Sequence, residues 1–215
     1  VYGTVNDVCM SGATPLYMSV GFILEEGFAL AELKKIVASM AKAAQICNIS
    51  IVTGDTKVVE RGHGDGCYIN TTGIGSLADN LALSPSNIQS GDKILLSGSL
   101  GDHGTTILAQ RQHLNLSTEL NSDSQPLHDL VAEMIKAVPE IRCMRDPTRG
   151  GLASILNELS HTCGFAMRLN EMQIPIKDEV KACTELLGLD PLYIANEGKL
   201  VAFCPADKAQ ELLAI

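Results

Sequence analysis

The spacing of apolar residues in the first half of the chain predicts a mixture of helices and strands. Residues Ala29–Ala44 repeat apolar side chains every three or four positions, which is typical of an amphipathic helix. The runs Leu16–Leu24 and Cys67–Ser76 predict strands, and the β-branched run Ile49–Val52 predicts a fully buried strand. With a short first helix that ends at Gly12, the expected order is helix, strand, helix, strand, strand, which indicates a mixed α/β fold.

The second half follows a turn-rich seam at residues 78–92, where we place a domain boundary. This boundary divides the chain into residues 1–85 and 86–215. The expected strands are Lys93–Ser97, Ala166–Leu169 and Leu200–Cys204. The expected helices are one that ends at Arg111, one from Pro126 to Val138, one that follows Gly150-Gly151 and ends near Cys163, and two at Lys177–Leu187 and Pro205–Leu213. The polar stretch Leu114–Ser124 is expected to be a loop.

Composition excludes several classes of function. The 215 residues carry a formal net charge of −9, with 4% aromatic residues and no Trp, which argues against a nucleic-acid-binding protein. No apolar run reaches the roughly 18 residues that cross a bilayer, and the first residues do not resemble a signal peptide. We therefore expect neither a nucleic-acid partner nor a membrane, and a cytoplasmic location.

The seven cysteines do not form a metal-binding or disulfide pattern. None of them forms a CxxC pair or has the spacing of a Cys/His zinc knuckle. An odd number without a secretory signal favours thiols in a reducing compartment. Most lie in apolar contexts, so we expect them to pack as small hydrophobic residues and not to act as nucleophiles.

The stretch Gly54-Asp55-Thr56-Lys57 is the first candidate site. We expect it to form a turn at the end of the buried strand, with Gly54 allowing the change of direction. A carboxylate, a hydroxyl and an ammonium in one turn suit a Mg²⁺-bound phosphate, because the carboxylate binds the cation and the ammonium neutralises phosphate charge. A surface turn with a solvated ion pair explains the same residues, so both interpretations stay open.

Four further stretches carry polar groups beside glycines or turns. Asp7 either caps the first helix, as Asn6 also could, or faces a metal or nucleotide. Asp146 is either ion-paired with its arginine neighbours or placed for a metal-phosphate group before a helix. Glu197 is either part of a charged surface turn or a proton acceptor. The glycine-rich segment 97–104 before a helix suits an anion, although it matches neither a Walker A loop nor a dinucleotide fingerprint.

Taken in order, five motifs resemble the HypE family of hydrogenase maturation proteins. This family belongs to the ATP-binding superfamily of aminoimidazole ribotide synthetase and selenophosphate synthetase. The resemblance covers essentially the whole chain, and five motifs in this order are far more specific than any one alone. The motifs are Val5-Asn6-Asp7-Val8 with Ser11-Gly12-Ala13, Gly54-Asp55-Thr56-Lys57-Val58-Val59, Ser99-Leu100-Gly101-Asp102-His103-Gly104, Arg145-Asp146-Pro147-Thr148-Arg149-Gly150-Gly151, and Ala195-Asn196-Glu197-Gly198-Lys199-Leu200.

The resemblance implies a two-domain α/β homodimer of the aminoimidazole ribotide synthetase type. Residues 1–85 would form an ATP-binding and dimerisation domain, with ATP near the dimer interface, and residues 86–215 a C-terminal α/β domain. Such proteins receive a thiocarboxamide on a C-terminal cysteine from the carbamoyltransferase HypF. They use ATP and Mg²⁺ to dehydrate it to a thiocyanate, whose cyanide passes to iron on the HypC–HypD scaffold for [NiFe] hydrogenase.

The resemblance also implies roles for individual residues. The catalytic candidates are Lys57, which would hold phosphate or a developing oxyanion, and Glu197, which would accept a proton. The Mg²⁺ and nucleotide candidates are Asp7, Asp55 and Asp146, with Thr56 and Asn196 orienting ligands and Asp102 and His103 as secondary candidates.

Two departures from the family pattern limit what we expect of this chain alone. The family ends in a cysteine, whereas this chain ends at Ala214-Ile215, and the family has further N-terminal sequence. We therefore expect an internal fragment that is inactive in dehydration and exposes a sheet edge. Two alternatives stay open: a purine-biosynthesis sister enzyme of the aminoimidazole ribotide synthetase type, and a non-catalytic scaffold that docks maturation partners.

Overall fold

The protein contains two three-stranded sheets surrounded by seven α-helices in the part that the structure describes. The computed structural model describes residues 1–79, 81–111 and 120–215. In the first part of the chain the elements are α1 (Tyr2–Met10), β1 (Thr14–Glu25), α2 (Leu30–Ile46), β2 (Ser50–Val59) and β3 (Cys67–Ser76). In the second part they are β4 (Lys93–Leu96), α3 (Asp102–Arg111), α4 (His128–Ala137), β5 (Cys143–Arg145), α5 (Gly151–Cys163), α6 (Asp178–Leu187), β6 (Val201–Cys204) and α7 (Ala209–Leu213).

The first sheet has the strand order β2-β1-β3 and mixes parallel and antiparallel pairing. β1 runs parallel to β2 and antiparallel to β3. Val20 lies opposite both Gly54 and Thr71, and the Thr71 hydroxyl is hydrogen-bonded to that of Thr4 at 2.5 Å. α1 therefore packs on the face of the sheet that carries Val20 and Thr71.

The second sheet has the order β4-β6-β5, with both pairs antiparallel. Its central strand β6 is completely buried, and its side chains alternate between two hydrophobic clusters. Ala202 and Cys204 pack with α1, β1, α2 and α4, whereas Val201 and Phe203 pack with α5. The first cluster thus joins elements from both parts of the chain into one core.

Most predicted elements are confirmed, including the strands Leu16–Leu24 and Cys67–Ser76 and the helix that ends at Cys163. The mixed α/β class is confirmed as well. The domain boundary at residue 85 stays a prediction. Residues 114–119 of the predicted loop lie outside the described residues. None of the helices in the described ranges is long and apolar enough to cross a membrane.

The predicted turn at Gly54-Asp55-Thr56-Lys57 is wrong, because these residues continue strand β2. A Cβ atom on Gly54 would lie 2.8 Å from the Val20 carbonyl oxygen, so this glycine permits close strand pairing and not a change of direction. The strand is also not buried, since almost every residue of β2 is exposed at the edge of the sheet.

Two smaller predictions are also wrong. Residues 166–169 form no strand, whereas the helix expected from Pro126 is present and begins at His128. Neither Asn6 nor Asp7 caps α1, because both lie inside the helix, where Asn6 is 1% exposed. The amphipathic helix α2 forms as predicted, but Leu30 on its apolar face is 72% exposed.

Candidate functional site

The structure brings Asp7 and Asp146 together from distant parts of the sequence. Asp7 projects from α1, and Asp146 follows the end of β5. Partial burial raises the pKa of the Asp7 carboxyl, and the negative charge of Asp146 raises it further, while Arg145 opposes the shift. Within the described residues Arg145 pairs with Glu158 at 3.6 Å and no ion pair involves Asp146. The two carboxylates are therefore crowded without a neutralising partner of their own.

Glu197 joins this group from the turn before β6. Its Oε2 atom lies 3.6 Å from the position that a Cβ atom on Gly3 would occupy, so the side chain reaches the first turn of α1. Burial raises the pKa of Glu197; His103 counteracts the shift, and Asp146, Asp123 and Asp7 add to it. A carboxyl group with a raised pKa at a partly buried position is a better proton acceptor than an ordinary glutamate.

The backbone around Glu197 is held by side chains from two other segments. The Glu197 N–H donates to Asp123 Oδ1 at 3.1 Å, and the Glu197 carbonyl accepts from Asn6 Nδ2 at 3.1 Å. Gln125 Nε2 donates to the Gly198 carbonyl at 3.0 Å. Lys199 Nζ lies 3.3 Å from Asp123 Oδ2 in a buried ion pair. The backbone position from which the Glu197 side chain projects is thus held by hydrogen bonds on both peptide groups.

Asn196 is completely buried, and its side chain binds only other parts of the protein. Its Oδ1 accepts from the Gly101 N–H at 2.7 Å, and its Nδ2 donates to the carbonyls of Pro147 and Ile194. The residue therefore connects the segments that carry Asp146, Glu197 and the start of α3. These bonds favour a role in orienting the site through the backbone, and the predicted contact between Asn196 and a ligand stays a prediction.

His103 and Asp102 begin α3 beside the same turn. The Gly104 N–H donates to the Ala195 carbonyl at 3.0 Å, which places His103 next to the Glu197 segment. His103 Nδ1 lies 2.8 Å from the Ser122 hydroxyl. Asp102 is 2% exposed and accepts from Ser99 and from Lys177 Nζ at 2.8 Å. Asp102 is therefore occupied in an ion pair, whereas His103 borders the acidic group.

Asp55, Thr56 and Lys57 do not join this group. They lie in edge strand β2, which β1 separates from β3. Because side chains alternate along a strand, Asp55 and Lys57 share the face of Gly21 and Ile23, opposite to the face of Val20 that α1 covers. Within one chain the predicted residues thus lie in two places. Asp7, Asp146 and Glu197 form an acidic group, and Asp55 and Lys57 lie together on the opposite face of the first sheet.

The acidic group fits a Mg²⁺ ion bound to phosphates and not a metal held by protein ligands alone. Among the described residues no three His, Cys, Asp or Glu side chains are arranged to hold a metal by themselves. Mg²⁺ at nucleotide sites commonly takes one or two carboxylates and completes its coordination with phosphate oxygens and water. Asp7 and Asp146, whose mutual repulsion a cation would relieve, supply such a pair.

Three residues of this site were missed from the sequence. Asn6 was interpreted only as a possible cap, and Asp123 and Lys199 were given no role. The side chains of Asn6 and Asp123 are both nearly excluded from solvent, and each binds backbone groups far away in the sequence. No local sequence pattern predicts such long-range contacts. The only sequence feature that indicates a role for Asn6 is its position directly before Asp7.

Comparison with known proteins is consistent with this architecture. The N-terminal domain model of AIR synthase related proteins matches residues 1–77, and the C-terminal domain model matches residues 89–215. The carbamoyl dehydratase HypE of Azotobacter vinelandii is 59% identical over 213 residues, which cover 99% of this chain and 62% of that protein. The chain spans between 61% and 63% of the length of three such curated relatives.

The fold of the chain also matches solved structures of HypE proteins. A crystal structure of the hydrogenase maturation protein HypE in complex with ATP superposes with a TM-score of 0.97 at 50% identity, covering 100% of this chain and 64% of that one. A HypE–HypF complex superposes with a TM-score of 0.97 at 44% identity, covering 100% of this chain and 70% of that one. These matches in sequence and structure show that the chain belongs to the HypE family of AIR synthase related proteins.

Proposed function

We propose that the protein uses ATP and Mg²⁺ to dehydrate a C-terminal cysteine thiocarboxamide to a thiocyanate for [NiFe] hydrogenase maturation. The observation that carries the proposal is that Glu197, the proposed base, lies beside Asp7 and Asp146, the proposed Mg²⁺ ligands. The solved complex of a HypE with ATP supports nucleotide binding. Family membership favours this reaction over the purine-biosynthesis alternative.

The chemistry requires an oxygen atom to leave an amide. ATP supplies the phosphoryl group that turns the amide oxygen into a leaving group, with ADP as the second product. One N–H proton departs as the phosphoester forms, and the second departs as phosphate leaves and the C≡N bond is completed. The net change is the loss of one water from the thiocarboxamide. The protein must therefore neutralise phosphate charge and accept protons at the amide nitrogen.

The chain's residues divide between these two tasks. Asp7 and Asp146 would bind Mg²⁺, and Glu197 would accept the nitrogen proton. Lys57 would stabilise phosphate or the developing oxyanion, with Asp55 as a further Mg²⁺ ligand and Thr56 orienting the nucleotide. Because Asp55 and Lys57 lie on the other face of the first sheet, we propose that they act on a nucleotide shared with a second copy of the chain.

A homodimer would form through that sheet face. Tyr17 lies opposite Ile74 and Ile23 opposite Tyr68, and all four side chains are at least 45% exposed, which is unusual for large apolar residues on one sheet. Light scattering should give twice the monomer mass, and Tyr68→Arg should give a monomer. Leu186→Arg on exposed helix α6 is the matched control and should leave the dimer intact. A monomeric unmodified chain contradicts the proposed dimer.

We further propose HypF as the donor of the carbamoyl group and the HypC–HypD iron scaffold as the acceptor of cyanide, in the cytoplasm. The solved HypE–HypF complex supports the first of these partners. No nucleic-acid or membrane partner is part of the proposal.

Mass spectrometry on a version of the chain that carries the flanking segments of its relatives tests the reaction. After carbamoylation by HypF, addition of MgATP should remove the mass of one water from the C-terminal peptide. Lys57→Ala and Glu197→Ala should each slow this loss by about 10²- to 10⁴-fold, the usual contribution of a positioned proton acceptor or charge stabiliser. Lys34→Ala and Glu133→Ala, on exposed helix surfaces, are the matched controls. Retention of the carbamoyl mass despite ATP binding would favour the non-catalytic scaffold.

A further inference from the structure

We propose that Asn6 is a positioning residue that holds Glu197 at the correct place relative to Asp7, an inference that rests on the proposed role of Glu197 as proton acceptor. Asn6 contacts the backbone of Glu197, so it would act through Glu197 and not on the substrate directly.

Asn6 uses its whole side-chain amide in contacts with the second part of the chain. It is 1% exposed within α1. Its Nδ2 donates to the carbonyls of Gln125 at 3.0 Å and Glu197 at 3.1 Å, and its Oδ1 accepts from the Leu127 N–H at 2.8 Å. Both donor hydrogens and one acceptor site are thus satisfied by backbone groups. An apolar residue of similar size would fill the same space but leave three buried backbone groups without partners.

The Glu197 peptide groups are held from both sides. Asn6 binds the carbonyl, while Asp123 accepts from the N–H at 3.1 Å. The next residue, Gly198, has no room for a side chain, because a Cβ atom there would collide with the Asp123 carbonyl oxygen. With both peptide groups bonded and the following residue confined, the backbone fixes the direction in which the Cα–Cβ bond of Glu197 points.

Because Asn6 directly precedes Asp7, its hydrogen bond to the Glu197 carbonyl links the two proposed functional groups. One turn of α1 carries both the carboxylate proposed to bind Mg²⁺ and the amide that holds the backbone of the proposed base. A single direct hydrogen bond therefore connects Asn6 with Glu197, which is 191 positions further along the sequence. Loss of that bond would let the Glu197 segment move away from Asp7, while the carboxylates of Asp7 and Asp146 remain present.

A double-mutant cycle tests whether Asn6 acts through Glu197. In the version with flanking segments, Asn6→Ala should lower kcat at least tenfold and change the KM for ATP less than twofold. In a Glu197→Gln background the same substitution should cause less than a twofold further loss. Equal losses in both backgrounds would show a merely structural role and overturn the inference. Asn157→Ala, on an exposed part of α5, is the matched control.

A second readout does not depend on activity. In the 215-residue chain, Asn6→Ala should speed hydrogen exchange at the Glu197 amide, which donates to Asp123, at least tenfold, with the Val201 and Phe203 amides unchanged. Unchanged exchange at Glu197 would overturn the inference, even if the proposed reaction itself were absent. If Asn6→Ala fails to fold, Asn6→Ser takes its place, because its shorter side chain adds no charge to the buried site and still removes the bond to the Glu197 carbonyl; the same local increase is expected.

Discussion

Asp7 and Asp146 are 139 residues apart in the sequence, yet the charge of Asp146 raises the pKa of Asp7. A site that collects carboxylates in this way stores unfavourable electrostatic energy in the absence of a cation. If the proposed Mg²⁺ site is correct, the two carboxylates lower the stability of the ligand-free protein, and this cost can be measured directly.

Neutralising one of these carboxylates should stabilise the ligand-free protein. Since the folded-state pKa of Asp7 lies above its unfolded value near 3.8, the folded state binds more protons between these two values, and stability falls as pH rises through that range. Because Asp7 is exposed and solvent screens its charge, Asp7→Asn should raise the free energy of unfolding at pH 7 by less than about 1 kcal/mol, which corresponds to a small gain in Tm.

Below the unfolded pKa the carboxyl is protonated in both states, so the advantage of Asp7→Asn should disappear near pH 3. Thermal unfolding followed by circular dichroism between pH 3 and 8 measures the difference. Asp65→Asn, in an exposed loop, is the control and should change Tm little. Destabilisation by Asp7→Asn at pH 7 would contradict the electrostatic interpretation.

Gly151 should tolerate a side chain much less than Gly188 does. Both have positive φ angles, 63° and 66°, so alanine meets the same backbone strain at each position. A Cβ atom on Gly151 would lie 2.5 Å from the Leu192 carbonyl oxygen, whereas nothing lies within 4 Å at Gly188.

Gly151→Ala should thus cost at least 1 kcal/mol more than Gly188→Ala, and urea unfolding gives both values. Because Gly151 begins α5 close to the Asp146 segment, weaker MgATP binding should accompany the loss of stability. Equal costs for the two substitutions would show that the Leu192 backbone moves aside.

Truncation of Phe203 should be among the most damaging changes in the chain. The side chain is 1% exposed in central strand β6, where it packs with α5. Phe203→Ala should cost about 3–5 kcal/mol in the free energy of unfolding, because a large cavity remains in a close-packed core. Leu30→Ala, at a position that is 72% exposed, should cost less than about 1 kcal/mol in the same chemical denaturation experiment.

The cysteines should divide into two classes of reactivity. Cys67 and Cys163 are partly exposed, whereas the other five are buried. Burial raises the pKa of Cys9 to about 12 and of Cys143 to about 11, so these thiols stay protonated and unreactive at neutral pH. A thiol reagent should modify two cysteines of the native protein rapidly and all seven only after denaturation. Rapid native labelling of Cys9 or Cys143 would contradict this division.

The sequence by itself determined the order and approximate bounds of most elements and the family to which the chain belongs. The helical spacing in Ala29–Ala44 and the strand pattern of Cys67–Ser76 depend on local periodicity, which neighbouring residues express directly. Five motifs in a fixed order were enough to indicate the family, because their joint occurrence does not depend on three-dimensional contacts.

The tertiary structure alone decided where the chemical groups lie. Gly54-Asp55-Thr56-Lys57 has the composition of a turn, but pairing with β1 extends it into a strand and places Asp55 and Lys57 away from Asp7. Asn6 and Asp123 became visible as site residues only through bonds to a backbone segment more than 70 positions distant. Local propensity is a weak free-energy bias that strand pairing overrides, and contacts between distant segments arise only when the two parts of the chain share a core.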